Sequence, residues 1–303
     1  MKTFLLSVFR NLKHIDINIK YLLIQKIIKK NAPQVINEVT TVKKIQRDKL
    51  SVSRFGDGEF RWMAGIRNDS FQDNNVVMAE RLRKVLNSEQ PNHMVCIPDV
   101  FRSQSKYTTD NKLAWRRLLI DNSKKWLNVM NKNKIFYDAN FTRPYIDRKN
   151  KAGAKNRFEE LKKIWENKNV LIIEGTKTKF GVNNNLLLKA KKIGRILCPA
   201  VNAFEKYDEI LEKSKKHLKS FDIVLLALGP TATILAYDLN NLGVQAVDIG
   251  HVDIEYEWYL MGVTKRVPLK HKYVNEVKNG GSVDEELTDN SNYNKQILEI
   301  IRN

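Results

Sequence analysis

The chain has 303 residues, enough for one large domain or two modest ones and for a substantial buried core. Apolar residues make up 42% and charged residues 29%, with only 13 glycines and 7 prolines, which excludes a disordered, collagen-like or loop-dominated chain. Lysine and arginine number 53 against 34 acids, a formal charge of +19 that points to an anionic partner: nucleic acid, a phosphate-bearing small molecule or a membrane surface.

Residues 1–30 carry Lys2, Arg10, Lys13, Lys20, Lys26, Lys29 and Lys30 against the single acid Asp16. Phe4, Val8, Leu12, Ile15, Ile19 and Leu22 fall at helical spacing, which predicts an amphipathic helix. Two uses of that stripe are open. It lies on an anionic bilayer surface, or it packs on the domain while the lysines stay solvated. Pro33 ends the segment or starts a new one. No apolar run reaches the roughly 18 residues of a membrane span, and no cleavage site follows the short N-terminal apolar runs. A cytoplasmic protein is expected, with residues 1–30 as a candidate peripheral contact on the inner face of the membrane. Cys96 and Cys198 sit in apolar runs and read as buried thiols of a reducing compartment.

From about Leu50 to Val267 the chain alternates. Strand-like runs are predicted at Leu50–Arg54, Met94–Pro98, Ile135–Tyr137, Val170–Glu174, Arg195–Cys198, Ile223–Leu228 and Ala246–Ile249. Helical patterns are predicted at Val76–Leu86, Arg116–Met130, Phe158–Trp165, Leu186–Ile193, Ala203–Leu218 and Thr231–Leu242. Strand–helix alternation with near-continuous apolar strands implies an α/β fold: a Rossmann-like, mostly parallel sheet with helices on both faces. Three segments follow: a basic N-terminal helical segment (1–40), the α/β domain (41–270), and a Gly280-Gly281-Ser282 and Asp284-Glu285-Glu286 linker with a short C-terminal amphipathic helix at Gln296–Ile301 (271–303).

In such sheets ligands bind beyond the carboxyl ends of the strands. Arg54-Phe55-Gly56-Asp57-Gly58-Glu59 follows the first of these strands. In an extended loop Asp57 and Glu59 face one point, and their hard oxygens suit Mg2+ or Mn2+. Gly56 lets the backbone approach a ligand, and Arg54 offers a fork to phosphates. The plain alternative is an exposed acidic turn. Leu228-Gly229-Pro230-Thr231 joins the most apolar strand to a helix, with Thr231 as a candidate cap and anion site. In an extended chain His251, Asp253 and Glu255 share one face, as suits a base, a metal contact or a sugar clamp; a solvated edge strand is the alternative. Thr142-Arg143-Pro144-Tyr145 and Lys177-Thr178-Lys179 are basic loops after strands, open to phosphate or to solvent alone. Neither a Gly-x-Gly-x-x-Gly fingerprint nor a phosphate-binding Gly-x4-Gly-Lys loop is present.

Taken in order, Arg54–Glu59, Thr142–Tyr145, Cys198-Pro199-Ala200-Val201-Asn202-Ala203-Phe204, Ala227–Asp238 and Asp248–Trp258 resemble the bacterial GT-D-type glycosyltransferases, formerly domain of unknown function 1792. The resemblance covers roughly residues 40–265. It implies a divalent metal held through an Asp-X-Glu motif, here Asp57 and Glu59, and a nucleotide-sugar donor, typically UDP-linked. It places Arg54, Gly56, Thr142, Arg143, Asn202, Gly229, Thr231 and His251 near the donor. One loop departs: where the family usually has Arg and then Gly-Val-Gly-Asn-Asp, this chain has Lys179, Phe180 and Gly181-Val182-Asn183-Asn184-Asn185. Lysine is a point charge and not a fork.

The expectation is a metal-dependent glycosyltransferase, moving a sugar from a UDP-sugar or similar donor to a glycan, glycolipid or glycoprotein hydroxyl. Asp57 and Glu59 hold Mn2+ or Mg2+; Arg54, Arg143 and Lys179 face phosphates; Asp253 or Glu255 takes the acceptor proton. The rival reading of the charge is a nucleic-acid-binding α/β protein. Basic residues are spread along the chain without an aromatic–basic module, so no nucleic-acid partner is expected.

Overall fold

A computed structural model describes residues 2–65, 71–73, 75–277, 280–281 and 290–303, with side chains from residue 13 onward in the first helix. The chain opens with α1 (Lys2–Asn31), β1 (Gln34–Ile36), α2 (Glu38–Arg47), β2 (Ser51–Arg54), α3 (Asp57–Met63) and α4 (Val76–Leu86). It continues through β3 (His93–Ile97), α5 (Thr109–Val129), β4 (Ile135–Asp138), α6 (Ala154–Lys162), β5 (Asn169–Gly175) and β6 (Lys192–Cys198). It closes with α7 (Tyr207–His217), β7 (Ile223–Ala227), α8 (Pro230–Asn241), β8 (Ala246–Asp248), α9 (Val252–Leu260), α10 (Asn290–Gln296) and β9 (Ile297–Ile300).

The described strands form one nine-stranded sheet in the order β1-β4-β3-β2-β8-β7-β5-β6-β9, parallel throughout. Alternate residues of each strand feed two cores. Val95, Ile97, Leu171, Ile173, Val224 and Leu226 face one side, where α1, α3, α4, α5, α7 and α8 pack. Met94, Cys96, Val170, Ile172, Ile223 and Leu225 face the other, under α2, α6 and α9. Helices cover both faces, as a parallel sheet with apolar residues on both sides requires. Cys96 and Cys198 are free and buried.

All seven expected strands are present. Four expectations change. Leu186–Ile193 is not a helix: it is a chain of turns that runs into β6 at Lys192. Asp57–Glu59 is not an extended loop but the first turn of α3. The His251–Glu255 stretch is not extended either; it starts α9. The C-terminal Gln296–Ile301 stretch is mostly strand: β9 pairs with β6 through Arg195↔Ile297 and Leu197↔Ile300. Of the linker, Ser282 and Asp284–Glu286 lie outside the described residues.

The N-terminal helix uses a different face from the one its spacing singled out. Tyr21 and Ile28 are buried against the core, with Ile24 packed beside them. Ile15, Ile19 and Leu22, members of the expected stripe, are exposed. Phe4, Val8 and Leu12 have side chains outside the described set.

Candidate active site

The polar residues gather where β2, β8 and β7, neighbours in the middle of the sheet, reach their carboxyl ends. β2 ends at Arg54 and β8 at Asp248. The Arg54 guanidinium lies 3.6 Å from Asp248 Oδ1, and both side chains are largely buried. Asp248 also accepts from the Thr233 hydroxyl and the Gly250 N–H, each at 3.1 Å. Gly250 has φ +50°, and a Cβ there would stand 2.7 Å from the Arg54 side chain. Only glycine allows that conformation and that approach together. Burial pushes the Asp248 carboxyl above its ordinary range, and Arg54 pulls it back.

Gly56 is the N-cap of α3. Its N–H donates to Glu59 Oε2 at 2.7 Å, the carboxylate half of a capping box. Glu59 is therefore buried and already engaged; burial raises its carboxyl, with Arg54 opposing. Asp57 is exposed and has no side-chain partner among the described residues. The two carboxylates thus differ in role: Asp57 is open, whereas Glu59 holds the turn that presents it.

Two cavities meet at Arg54. One is walled by apolar groups, among them Phe71, Phe180, Ala203, Leu228 and Ile254, with Gly229, Asp248 and His251 at its edge. The other is charged and polar: Asp57, Asn111, Trp115, Asn140, Arg143 and Glu276 line it. Arg143 follows a 3-10 turn over Ala139–Thr142 at the end of β4. Its guanidinium donates to Glu276 Oε2 at 2.9 Å and pairs with the other carboxylate oxygen. Burial alone would raise the Glu276 carboxyl, but Arg143 holds it well below the usual carboxylate range. The Arg143 guanidinium also lies 3.3 Å from His251 Nδ1, and His251 Nε2 lies 3.0 Å from Asn275 Oδ1. A neutral ring with its proton on Nε2 satisfies both contacts. Burial first, then Arg143, lowers the His251 pKa to about 4.

Arg54, Gly56, Asp57, Arg143, Gly229, His251 and Asp253 line these cavities. The other expected site residues do not. Thr142 is buried, its hydroxyl donating to the Ala139 carbonyl at 3.1 Å. Thr231 is not the cap of α8: Gly229 is, with Pro230 first in the helix, and Thr231 is fully buried. Asn202 instead braces the segment at 71–73, its side chain accepting from the Asp73 N–H and donating to the Asp73 carboxylate, both at 2.8 Å. Lys179 is buried at φ +47°, and its neighbours Thr178 and Phe180 line the apolar cavity in its place. Glu255 accepts the Tyr145 and Ile146 N–H groups at 2.9 and 2.8 Å, 3.5 Å from Arg143. It fixes the loop that carries Arg143 and stands in neither cavity. Asp253 does line the apolar cavity, tied to Lys272 at 2.7 Å and Asn184 at 2.8 Å.

Sequence reasoning missed Asn111, Trp115, Asn275 and Glu276. The first two lie in the opening turns of α5, ahead of the helix predicted from Arg116, and Glu276 lies 133 residues from Arg143 with no local signal. Asp248 had one: it closes a strand in a sheet whose strand ends carry the site. Among the described residues no three His, Cys, Asp or Glu side chains form a protein-only metal cage.

Residues 52–277 match the family described as glycosyltransferase GT-D fold. The chain is 36% identical over 250 residues to the probable glycosyl transferase Gly of Streptococcus gordonii, covering 82% of this chain and 36% of that protein. It is 35% identical over 257 residues to the glycosyltransferase GlyD of Streptococcus pneumoniae serotype 4, covering 84% of this chain and 31% of that protein. The chain thus spans about a third of the length of these curated relatives. A solved structure of domain of unknown function 1792, described as having a distinct glycosyltransferase fold, superposes with a TM-score of 0.85 at 35% identity, covering 93% of this chain and all of that one. A glycosyltransferase of the same domain from Streptococcus sanguinis gives 0.84 at 35% identity, covering 89% of this chain and all of that one. With its motifs, its sheet and these likenesses in agreement, the chain belongs to the GT-D family of glycosyltransferases.

Proposed function

We propose that this chain transfers a sugar from a nucleoside diphosphate, read as UDP, to a hydroxyl of a surface glycan, glycolipid or glycoprotein. One observation carries the reading: a charged cavity and an apolar cavity share Arg54 at the carboxyl ends of a parallel sheet. A nucleotide sugar has the matching halves, an anionic diphosphate between two rings.

The donor set fits Mn2+ or Mg2+ that completes its shell with water and phosphate oxygens. Asp57 would hold the ion with an open carboxylate, and Glu59, bound to Gly56, would keep that turn in place. When bound, the ion supplies positive charge against the diphosphate as the glycosidic bond breaks. Arg54 and Arg143 supply the protein's share of that charge from fixed positions, so little reorganisation accompanies the reaction. The incoming diphosphate takes the place of the Glu276 carboxylate on Arg143. His251, neutral near pH 7, accepts from Arg143 and keeps its fork turned to the cavity. Of the two carboxylates considered for the acceptor proton, Asp253 alone reaches a cavity.

Thermal unfolding with UDP, GDP and ADP, each with Mn2+ or EDTA, tests this. UDP with Mn2+ at about 100-fold over its dissociation constant should stabilise the fold by about 2.7 kcal/mol. Absence of a shift with every nucleotide overturns the donor reading. Full sugar transfer in EDTA overturns the metal.

A further inference from the structure

We propose that the outward face of α1 docks on an anionic membrane surface. The helix has two apolar faces. Tyr21 and Ile28 are buried, Ile24 packs beside them, and this face rests on α5. The contact is reinforced by polar ties: Gln104 donates to the Tyr21 hydroxyl at 2.8 Å, and Arg116 stands 4.7 Å above the Tyr21 ring. The helix is therefore fixed on the domain without help from its other side.

That other side carries Ile15, Ile19, Leu23 and Ile27, four residues apart, with Leu22 beside them. All five are more than half exposed, Leu23 by 75% and Ile27 by 66%. At 3.6 residues per turn, positions spaced by four form one continuous stripe. Scattered exposed apolar side chains are ordinary, but a contiguous stripe of five marks an interaction surface. Charge identifies the occupant. Lys13 and Lys20 border one edge of the stripe, Lys29 the other, and Lys26 and Lys30 stand at its end, all exposed. Asp16, the helix's one acid, is paired with Lys20 at 2.8 Å. An apolar ridge rimmed by lysines suits lipid headgroups, where the ridge enters the acyl boundary and the long lysine stems reach back to phosphates. A protein groove of matching shape would need its own acidic rim; an anionic bilayer offers one on any patch. No described helix is long and apolar enough to cross a membrane, so the contact is peripheral. It concerns α1 and holds whether or not the site takes a UDP-sugar.

The experiment is vesicle co-sedimentation of the full chain. One set of vesicles contains phosphatidylglycerol and phosphatidylcholine in equal parts, the other phosphatidylcholine alone. The protein should sediment with the anionic vesicles, and molar salt should weaken the binding. The double variant Leu23→Glu, Ile27→Glu should bind at least about tenfold more weakly, since two large apolar groups leave the lipid. Both positions are exposed, so the variant should keep the wild-type melting temperature and its turnover on a soluble acceptor. A second variant, Lys20→Gln with Lys29→Gln, should lose part of the binding and part of its salt dependence, since Lys13, Lys26 and Lys30 remain. Equal binding to both vesicle types overturns the proposal, as does unchanged binding by the Leu23→Glu, Ile27→Glu variant. A dimer by light scattering that this variant dissociates also overturns it, because the stripe then joins two copies of the chain.

Discussion

The two cavities that share Arg54 are built from different materials. The charged one is made of side chains held by other side chains: Arg143 by Glu276 and Glu255, Glu276 also by Arg266 at 3.3 Å. The apolar one is made of rings and short side chains at the ends of β5, β6, β7 and β8, where the backbone itself sets the wall. In the first, a ligand can displace a partner and inherit its charge. In the second, a ligand meets mainly apolar walls, with Asp248, His251 and Asp253 as its polar groups. On the proposed reading, charge neutralisation falls mainly to the first cavity and fit to the second, and Arg54 lines both.

Arg54→Ala is the strongest way to break that division. It leaves Asp248 and Glu59 buried without their cation, so loss of about 3–5 kcal/mol of stability is expected along with loss of transfer. Chemical denaturation and turnover check both together. Asp57→Ala separates them. The side chain is exposed and without partners among the described residues, so stability should move by less than about 0.5 kcal/mol. Transfer should nevertheless fall about 100-fold or more. A folded, fully active Asp57→Ala enzyme would remove the charged cavity from the chemistry.

Glu276→Gln sharpens the exchange on Arg143. Without its competing carboxylate the guanidinium should take the donor diphosphate more readily, lowering the donor KM about tenfold for roughly 1.4 kcal/mol of released pairing. A raised KM would show instead that Glu276 positions Arg143 for the donor. The remaining effect is on pH. His251 has a folded pKa of about 4 against an ordinary 6.5. Its stabilising contribution is therefore complete above pH 6.5 and is lost as pH falls through that window, where only the unfolded chain takes up the proton. The loss is at most about 1.4 kcal/mol per pH unit. Buried Glu59 and Asp248, raised by burial, act with the opposite sign. The measurement is consequently a difference: His251→Gln should lose less stability than wild type between pH 7 and 5, by urea denaturation.

The parts of the site that were legible share a cause. β7 is apolar on both faces and reads as a strand in any context, so Gly229 just past it was found, whereas Lys179 past β5 and Thr231 past β7 turned out to lie outside the cavities. α9 was misread because it is buried almost all round: Val252 through Trp258 are all buried, which leaves no helical period. The alternation of His251, Asp253 and Glu255 with apolar residues then imitates a strand. The glycines of the Asp57 turn suggested a loop for a related reason. Gly56 caps α3 and Glu59 completes the cap, while Phe60, Trp62 and Met63 bury the helix beneath.

By itself the sequence determined the α/β class, the seven central strands in their order along the chain and the strand-end segments that carry Arg54, Asp57, Arg143 and His251. Those features rest on neighbours within a few residues, through apolar runs and turn chemistry. Only the tertiary structure decided which carboxylate is open, which is a cap and which is a clamp. Glu59, Glu255 and Glu276 have the same side chain; their roles differ because different groups, some more than a hundred residues away, reach them in the fold. Burial and charge pairing act through space, and separation along the chain carries no record of them.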